Sequence, residues 1–175
     1  MVTITHPTLP AEGRLICGPR PDFHEGVAAL VHLGVSTIAC LLEDEELPGE
    51  LVAAYETAAL ELLRFEIPDF GRPTSPDELS VFLADLLLRL RRGETIYLHC
   101  FAGIGRTGTV LACLLKTAGA SGDPVRLVRA IYDPRALETE EQQRFARAFA
   151  PGRATRPGSA GGATSDPGDQ PAAGS

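Results

Sequence analysis

The chain has 175 residues, of which 44% are hydrophobic, so it can bury one well-packed core and is short for two domains. The formal net charge of −7 argues against a general positive field of the kind that holds nucleic acid or an anionic membrane. No stretch resembles a transmembrane segment or a signal peptide, and the four cysteines lack metal-ligand spacing. We therefore expect a cytoplasmic monomer with free thiols and without a nucleic-acid partner, membrane partner, metal or cofactor.

In the first hundred residues, short apolar runs alternate with amphipathic stretches. Runs rich in β-branched and aromatic residues predict strands at Arg14–Cys17, Ser36–Leu42, Leu62–Ile67 and Thr95–Cys100. Apolar residues at helical spacing predict helices at Phe23–Leu33, Glu50–Glu61 and Asp77–Arg92. This alternation predicts an α/β fold with a mostly parallel central sheet of four to five strands, flanked by helices. Binding sites in such sheets lie outside the carboxyl ends of the strands.

The rest of the folded chain is predicted to be helical. Helices are expected from Arg106 to Gly119, after the Asp123-Pro124 cap, and from Glu138 to Ala150. Residues 151–175 are rich in Gly, Pro, Ala and Ser and cannot build a core. We therefore place one domain at residues 1–150 and a disordered tail at residues 151–175.

One segment, LHCFAGIGRTG from Leu98 to Gly108, joins the last predicted strand to a helix. Backbone N–H groups of such a loop can surround an anion at the helix N-terminus, and glycines permit the turn. A helix N-terminus also stabilises a thiolate, which makes Cys100 a candidate nucleophile. Arg106 can hold two oxygens of the same anion with its planar guanidinium. The predicted phosphate-binding loop consists of Cys100, Phe101, Ala102, Gly103, Ile104, Gly105 and Arg106.

Three segments carry a resemblance to a known family: IPDFGRPTSPDEL at Ile67–Leu79, HCFAGIGRTGT at His99–Thr109 and ALETEEQQ at Ala136–Gln143. With them the chain resembles the cysteine-dependent protein tyrosine phosphatase superfamily, in particular its small atypical dual-specificity, VH1-like branch. The resemblance covers most of Leu15–Phe149 and implies a protein tyrosine phosphatase-like fold, with residues 1–150 as the catalytic domain. It also implies that the cysteine takes the phosphoryl group, that an aspartate protonates the leaving oxygen, and that water hydrolyses the phosphocysteine.

Asp69 is the candidate proton donor, because an alkoxide or phenolate leaving group needs a proton. It follows the third predicted strand, and parallel strands would bring its loop beside Cys100. The Ile-Pro-Asp resemblance implies the same role. Thr107, directly after Arg106, is expected to donate its hydroxyl to the Cys100 sulfur and make it a better leaving group, or to help cap the helix.

Three further residues are expected to support the site. His99 precedes Cys100 on the strand, so we expect it behind the loop, where a hydrogen bond would support the loop's shape. Glu138 and Gln142 are expected four residues apart on one helical face. The resemblance implies that Gln142 orients the hydrolytic water. The acidic run Glu43–Glu46 is predicted to be a solvated loop after a strand.

We expect a phosphorylated protein or peptide as the substrate. A domain that ends near Ala150 leaves little room for the additional loop that deepens the pocket of tyrosine-specific relatives. We therefore expect hydrolysis of phosphoserine and phosphothreonine as well as phosphotyrosine. Phosphoinositide-directed relatives tend to carry lysines in the loop, where this chain has apolar residues. Candidates to contact a peptide near the pocket are Arg20, Arg72 and Arg135.

Three alternatives stay open at this point. A phosphoinositide or small-molecule phosphatase would share the entire mechanism. A rhodanese-like sulfurtransferase or an arsenate reductase would also use a loop cysteine, but would not explain Asp69 together with the downstream glutamine segment. A catalytically silent phosphopeptide-binding module would use the same loop and need no nucleophile.

Overall fold

Residues 1–152, the part of the chain that this computed structural model describes, form five strands and six helices. The strands are β1 (Val2–Ile4), β2 (Arg14–Gly18), β3 (Thr37–Cys40), β4 (Glu61–Arg64) and β5 (Thr95–His99). The helices are α1 (Glu25–His32), α2 (Gly49–Thr57), α3 (Pro76–Arg91), α4 (Gly105–Thr117), α5 (Pro124–Ile131) and α6 (Glu140–Ala148), with a 3-10 turn at Asp44–Glu46. None of these described helices has both the length and the hydropathy to cross a bilayer. From residue 153 onward, the predicted tail lies outside the described residues.

The strands form one sheet in the order β1-β2-β5-β3-β4. Strands β2, β5, β3 and β4 run parallel, and β1 pairs with β2 in the antiparallel direction. In this register, His99 at the end of β5 lies beside Gly18 of β2 and Cys40 of β3. Three adjacent strands therefore end at one level of one sheet edge, where ligands bind in such folds. The predicted α/β fold with a mostly parallel central sheet is confirmed.

Helix α4 continues from the central strand into the core. Every residue from Gly105 to Leu115 is buried, and α4 packs against α3, α5 and α6. A helix enclosed on all sides by other elements has little freedom to move. Its N-terminus is therefore held firmly at the end of β5. Helix α3 begins as predicted, with the Ser75 hydroxyl accepting the Glu78 N–H at 3.2 Å and proline at the first helical position.

Strand β1 and helix α2 depart from the sequence-based prediction. Strand β1 is absent from it, because three residues on a sheet edge are too few for a pattern to stand out. The predicted helix over Glu50–Glu61 is too long, since α2 ends at Thr57. Ala59 has a φ of 54° and reverses the chain, and Glu61 then pairs with Thr37 as the start of β4. No glycine or proline marks this turn, so the sequence does not indicate it.

Candidate active site

The loop between β5 and α4 has its carbonyl groups held from outside. The three pairs are His99 Nδ1 donating to the Cys100 carbonyl at 3.1 Å, the Arg20 N–H donating to the Phe101 carbonyl at 2.9 Å, and the Tyr132 hydroxyl donating to the Gly103 carbonyl. Within residues 1–152, no backbone N–H of residues 101–107 donates to a protein acceptor. A trans peptide points its N–H opposite to its C=O. The N–H groups of Phe101, Ala102 and Ile104 therefore point away from the three held carbonyls, toward the inside of the loop, where they can bind an anion.

Two glycines allow this loop to fit against its neighbours. Gly103 has a φ of 77°, and a β-carbon there would lie 2.4 Å from the Gly18 carbonyl carbon. Gly105 begins α4, and a β-carbon there would lie 2.5 Å from Glu138 Oε2 and 3.0 Å from Gln142 Nε2. At Gly103 both the positive φ and the nearby backbone require glycine, whereas at Gly105 the close atoms are side-chain ends that can move away.

Cys100 is only 3% exposed and lines a small cavity of about 100 Å³. Besides Cys100, the cavity is lined by two carboxylates, two phenylalanines, an alanine, a glutamine and the loop arginine. These residues are Asp69, Phe70, Phe101, Ala102, Arg106, Glu138 and Gln142. This volume equals that of about three liquid waters, which suits a phosphoryl group rather than a whole substrate. A groove of about 610 Å³ between α1 and α2 is larger, but its lining contains neither a cysteine nor an arginine. The volume of a cavity therefore does not by itself identify the reactive site.

Arg106 is buried, and its guanidinium is held by three groups. Nη1 and Nη2 donate to the two carboxylate oxygens of Glu46 at 2.5 and 2.8 Å. Nη1 also donates to the Ile67 carbonyl at 3.1 Å, and Nη2 donates to Asp69 Oδ1 at 2.9 Å. The hydrogen bonds from Arg106 hold the pKa of Glu46 below its ordinary value. A buried guanidinium needs an ionised partner of this kind, and Glu46 provides it.

The prediction of a solvated loop at Glu43–Glu46 is wrong for Glu46. Its side chain is 21% exposed, and besides holding Arg106 it accepts the Glu43 N–H at 3.2 Å within the 3-10 turn. Glu46 follows β3, the parallel neighbour of β5, at the carboxyl edge of the sheet. That position is the one indication in the sequence that could have distinguished Glu46 from an ordinary surface acid.

The structure brings Asp69 to the same cavity as Cys100. Besides accepting the hydrogen bond from Arg106, Asp69 Oδ1 accepts the Phe70 N–H at 3.0 Å. The Asp69 side chain is 58% exposed, so it can reach a group at the mouth of the cavity. Gln142 Nε2 donates to the Gly71 carbonyl at 2.9 Å, which ties the turn that carries Asp69 to α6.

His99 lies behind the loop and is fully buried. Its Nδ1–H donates to the Cys100 carbonyl, which leaves Nε2 to accept the Tyr55 hydroxyl at 3.2 Å. The ring also stacks on Tyr97, with 5.7 Å between the centroids. Burial lowers the pKa of His99 to about 4. The imidazole is therefore neutral at pH 7 and fixes the start of the loop from behind.

The expected contacts of Thr107 are not made. Its hydroxyl is buried and has no hydrogen-bond partner within the described residues, so it neither donates to the Cys100 sulfur nor caps α4. A buried hydroxyl without a partner is uncommon in a folded protein and calls for an explanation.

Glu138 and Gln142 do not share one helical face as predicted. Helix α6 begins after its N-cap Thr139, so Glu138 lies before the helix. Thr139 is a favourable N-cap: its hydroxyl accepts the Gln142 N–H at 3.2 Å, and Gln142 Oε1 accepts the Thr139 N–H at 3.3 Å. The side chains of Glu138 and Gln142 nevertheless both line the cavity beside Cys100.

Of the three scattered arginines, one contacts the phosphate loop within the described part of the chain. Arg72 and Arg135 each form an ion pair with a nearby acidic residue, both at 3.0 Å. Arg20 instead places its guanidinium 4.6 Å from the centroid of the Phe101 ring and donates to the Glu46 carbonyl at 2.7 Å. Arg20 therefore joins the loop to the segment that holds Arg106.

Comparison with known proteins agrees with this geometry. A family model described as the DSP-PTPase phosphatase domain of a Swiss Army Knife protein matches residues 9–161. The solved structure of Tk-PTP in its active form is 31% identical, with a TM-score of 0.67 over 80% of this chain and 94% of that one. The phosphatidylglycerophosphate phosphatase PTPMT2 of Arabidopsis thaliana is 32% identical over 77% of this chain and 59% of that protein. Uncharacterized protein MJECL20 of Methanocaldococcus jannaschii is 37% identical over 45% of this chain and 52% of that protein. This chain spans about half the length of the first curated relatives that it matches.

The family model over most of the chain and the likeness to Tk-PTP show that the chain belongs to the protein tyrosine phosphatase superfamily. Within that superfamily, the chain belongs to the family of Swiss Army Knife DSP-PTPase phosphatase domains, which are atypical dual-specificity phosphatases. Its membership argues against the sulfurtransferase and arsenate reductase alternatives.

Proposed function

We propose that this domain hydrolyses phosphotyrosine, phosphoserine and phosphothreonine monoesters of proteins through a phosphocysteine intermediate. One observation carries the proposal: Cys100, Arg106 and Asp69 meet at one phosphate-sized cavity, with Arg106 Nη2 2.9 Å from Asp69 Oδ1. A nucleophile, a fixed cation and a proton donor at one anion site are what phosphoryl transfer to a cysteine requires.

In the first step, the Cys100 thiolate attacks phosphorus inside the loop. The N–H groups of residues 101–107 and the Arg106 guanidinium stabilise the equatorial oxygens. The S–P bond forms as the bond from phosphorus to the leaving oxygen breaks, and Asp69 gives its proton to that oxygen. The products are a phosphocysteine and the free hydroxyl group of the substrate.

In the second step, water attacks the phosphocysteine. The Asp69 carboxylate accepts a proton from this water, the S–P bond breaks, and phosphate and the Cys100 thiolate are released. Gln142 and Glu138 line the cavity and are positioned to orient the water. We assign to the unpartnered Thr107 hydroxyl a hydrogen bond to the sulfur as negative charge returns to it.

The walls of the cavity favour a protein substrate. Phe70 and Phe101 are 62% and 53% exposed, and both rings line the cavity beside Cys100. Exposed aromatic rings beside an anion site suit the apolar stem or ring of an amino-acid side chain. Arg106 is the one basic residue among those that line the cavity, so further phosphates on the substrate would find no partner in it.

A lipid phosphate is the second candidate. The observation in its favour is the 32% identity with PTPMT2, which is named as a phosphatidylglycerophosphate phosphatase. Such a substrate would use the same loop, the same nucleophile and the same acid. A silent phosphopeptide-binding module is the third candidate, although it would have no use for Asp69 beside the nucleophile.

A substrate panel separates these candidates. Phosphotyrosyl, phosphoseryl and phosphothreonyl peptides of one sequence, phosphatidylglycerophosphate in mixed micelles, and inositol phosphates are compared by phosphate release, with Cys100→Ser as the blank. We expect the phosphotyrosyl peptide to have the highest kcat/KM, with the peptides exceeding the lipid by about tenfold or more. Faster hydrolysis of the lipid would assign the domain to lipid substrates. Tight peptide binding by the native chain without any phosphate release would indicate the silent module.

A further inference from the structure

A hydroxyl from outside the phosphate loop holds the middle of that loop. Tyr132 lies at the C-terminal end of α5, and its hydroxyl donates to the carbonyl of Gly103. Burial raises the pKa of Tyr132, so the hydroxyl stays protonated over the pH range of any phosphatase assay. Tyr132 lies well beyond the loop in the sequence and does not line the cavity beside Cys100.

Gly103 is the place in the loop where such a restraint matters most. Its φ of 77° is a conformation that favours glycine, and a β-carbon there would collide with the Gly18–Pro19 peptide. Glycine permits this conformation, but glycine also has the greatest freedom to leave it. Contacts from elsewhere therefore have to select one orientation of the peptide between Gly103 and Ile104. Among the described residues, Tyr132 is the one side chain that hydrogen-bonds to this peptide.

We propose that Tyr132 is a positioning residue that turns the N–H of Ile104 into the anion site. The peptide is planar and trans, so a carbonyl held toward Tyr132 fixes the Ile104 N–H in the opposite direction, toward the inside of the loop. Without the hydroxyl, rotation of this peptide would replace a donor by a carbonyl oxygen that repels the anion. The inference rests on the proposed function only in that the loop has to bind an oxyanion.

The test compares two variants that each lose one hydroxyl. Tyr132→Phe removes the bond to the loop, whereas Thr37→Val removes the bond from the Thr37 hydroxyl to Glu94 Oε2 at 2.6 Å, at the end of β3 that lies away from the loop. The readouts are kcat and KM for p-nitrophenyl phosphate, the dissociation constant for tungstate, and the melting temperature. We expect Tyr132→Phe to lower kcat about tenfold or more and to weaken tungstate binding by a similar factor, because one oxyanion donor is lost. Thr37→Val should stay within about twofold of the native chain in both, with a comparable change in melting temperature.

Two results would overturn the proposal. One is a Tyr132→Phe protein whose kcat and tungstate affinity stay within about twofold of the native values. The other is an equal loss in Thr37→Val, which would make the effect one of general stability. If Tyr132→Phe does not fold, the deciding measurement is the NMR resonance of the Ile104 amide in the native chain, with and without tungstate. A strong shift on tungstate binding supports the proposal, and an unmoved resonance overturns it.

The tungstate measurements keep this inference separate from the proposed function. A chain that hydrolyses no phosphoprotein, but whose Tyr132→Phe variant binds tungstate more weakly, contradicts the proposed substrate class and supports the role of Tyr132. A chain that hydrolyses phosphopeptides with unchanged efficiency after Tyr132→Phe supports the proposed function and contradicts the role of Tyr132.

Discussion

Arg106 donates a hydrogen bond directly to Asp69, with Nη2 of the arginine 2.9 Å from Oδ1 of the aspartate. The contact places the candidate cation and the candidate proton donor on the same cavity, although they come from different loops. A phosphoryl group is a strong competitor for the guanidinium. We therefore expect a bound substrate to draw Arg106 toward its oxygens and to free the Asp69 carboxyl for the leaving oxygen.

Asp69→Asn removes the proton donor and preserves the shape of the side chain. We expect kcat for aryl phosphates with poorly acidic leaving groups to fall by about 10² to 10⁴-fold, and kcat for p-nitrophenyl phosphate to fall much less. Steady-state kinetics over a series of leaving groups measures this difference. Asp85→Asn is a matched control, because Asp85 accepts a hydrogen bond from Arg89 at 2.8 Å and does not line the cavity. An equal loss for every leaving group would remove Asp69 from the acid role.

Glu46→Gln tests whether the position of Arg106 depends on its carboxylate partner. The amide keeps the shape of Glu46 but can accept only one of the two hydrogen bonds from Arg106, and it carries no charge. We expect kcat to fall on the order of 100-fold, because a displaced arginine no longer meets the phosphoryl oxygens. Vanadate affinity, measured by competitive inhibition, should fall with it. Glu45→Gln, at an exposed neighbouring position, should leave both unchanged. Full vanadate affinity in Glu46→Gln would show that the loop alone positions Arg106.

The phosphate loop and its fold could be predicted from the sequence because the information is local. Cys100 to Arg106 are consecutive, they lie between an apolar strand and a helix, and the positive φ of Gly103 favours glycine in the turn. The parallel order of the strands then predicts that Asp69 comes near Cys100.

Glu46 and Tyr132 could not be predicted in the same way. Glu46 reaches Arg106 from 60 positions earlier, and in sequence it is one of several acids in a charged run. The Tyr132 hydroxyl donates to the backbone carbonyl of Gly103. Every residue has such a carbonyl, so the sequence does not indicate this contact. Thr139 as the N-cap moved the start of α6 past Glu138, because a capping box competes successfully with a simple i, i+4 pattern.

His99 makes the stability of the fold depend on pH. Its pKa is about 4 in the folded protein, below its ordinary value of 6.5, so the unfolded chain binds the proton more readily. The contribution of His99 is therefore fully present above about pH 7 and is lost as the pH falls toward 4. Between pH 7 and pH 4.5, we expect the unfolding free energy of His99→Asn to fall by about 2–3 kcal/mol less than that of the native chain. Urea denaturation at the two pH values measures the unfolding free energy of each protein. If it depends on pH in the same way in both, a buried neutral imidazole is contradicted.

Alkylation distinguishes Cys100 from the other three thiols. Burial raises the pKa of Cys40 to about 11 and of Cys113 to about 12, and it raises the pKa of Cys17 as well. These three groups are protonated and enclosed at neutral pH, whereas Cys100 lines the cavity. We expect iodoacetamide to modify Cys100 alone in the folded protein and all four cysteines after denaturation, and we expect phosphate to protect Cys100. Peptide mass spectrometry identifies the sites, and equally fast labelling of Cys40 would contradict this assignment.

Direct detection of the phosphocysteine tests the proposed chemistry most directly. The native chain is mixed with p-nitrophenyl phosphate in the presence of EDTA, denatured during turnover, and digested for mass spectrometry of the peptide that contains Cys100. We expect the added mass of one HPO₃ group on Cys100 in the native chain, together with release of p-nitrophenol. In Cys100→Ser we expect neither. Continued turnover in Cys100→Ser, or turnover in the native chain that stops when EDTA is added, would contradict a covalent cysteine mechanism.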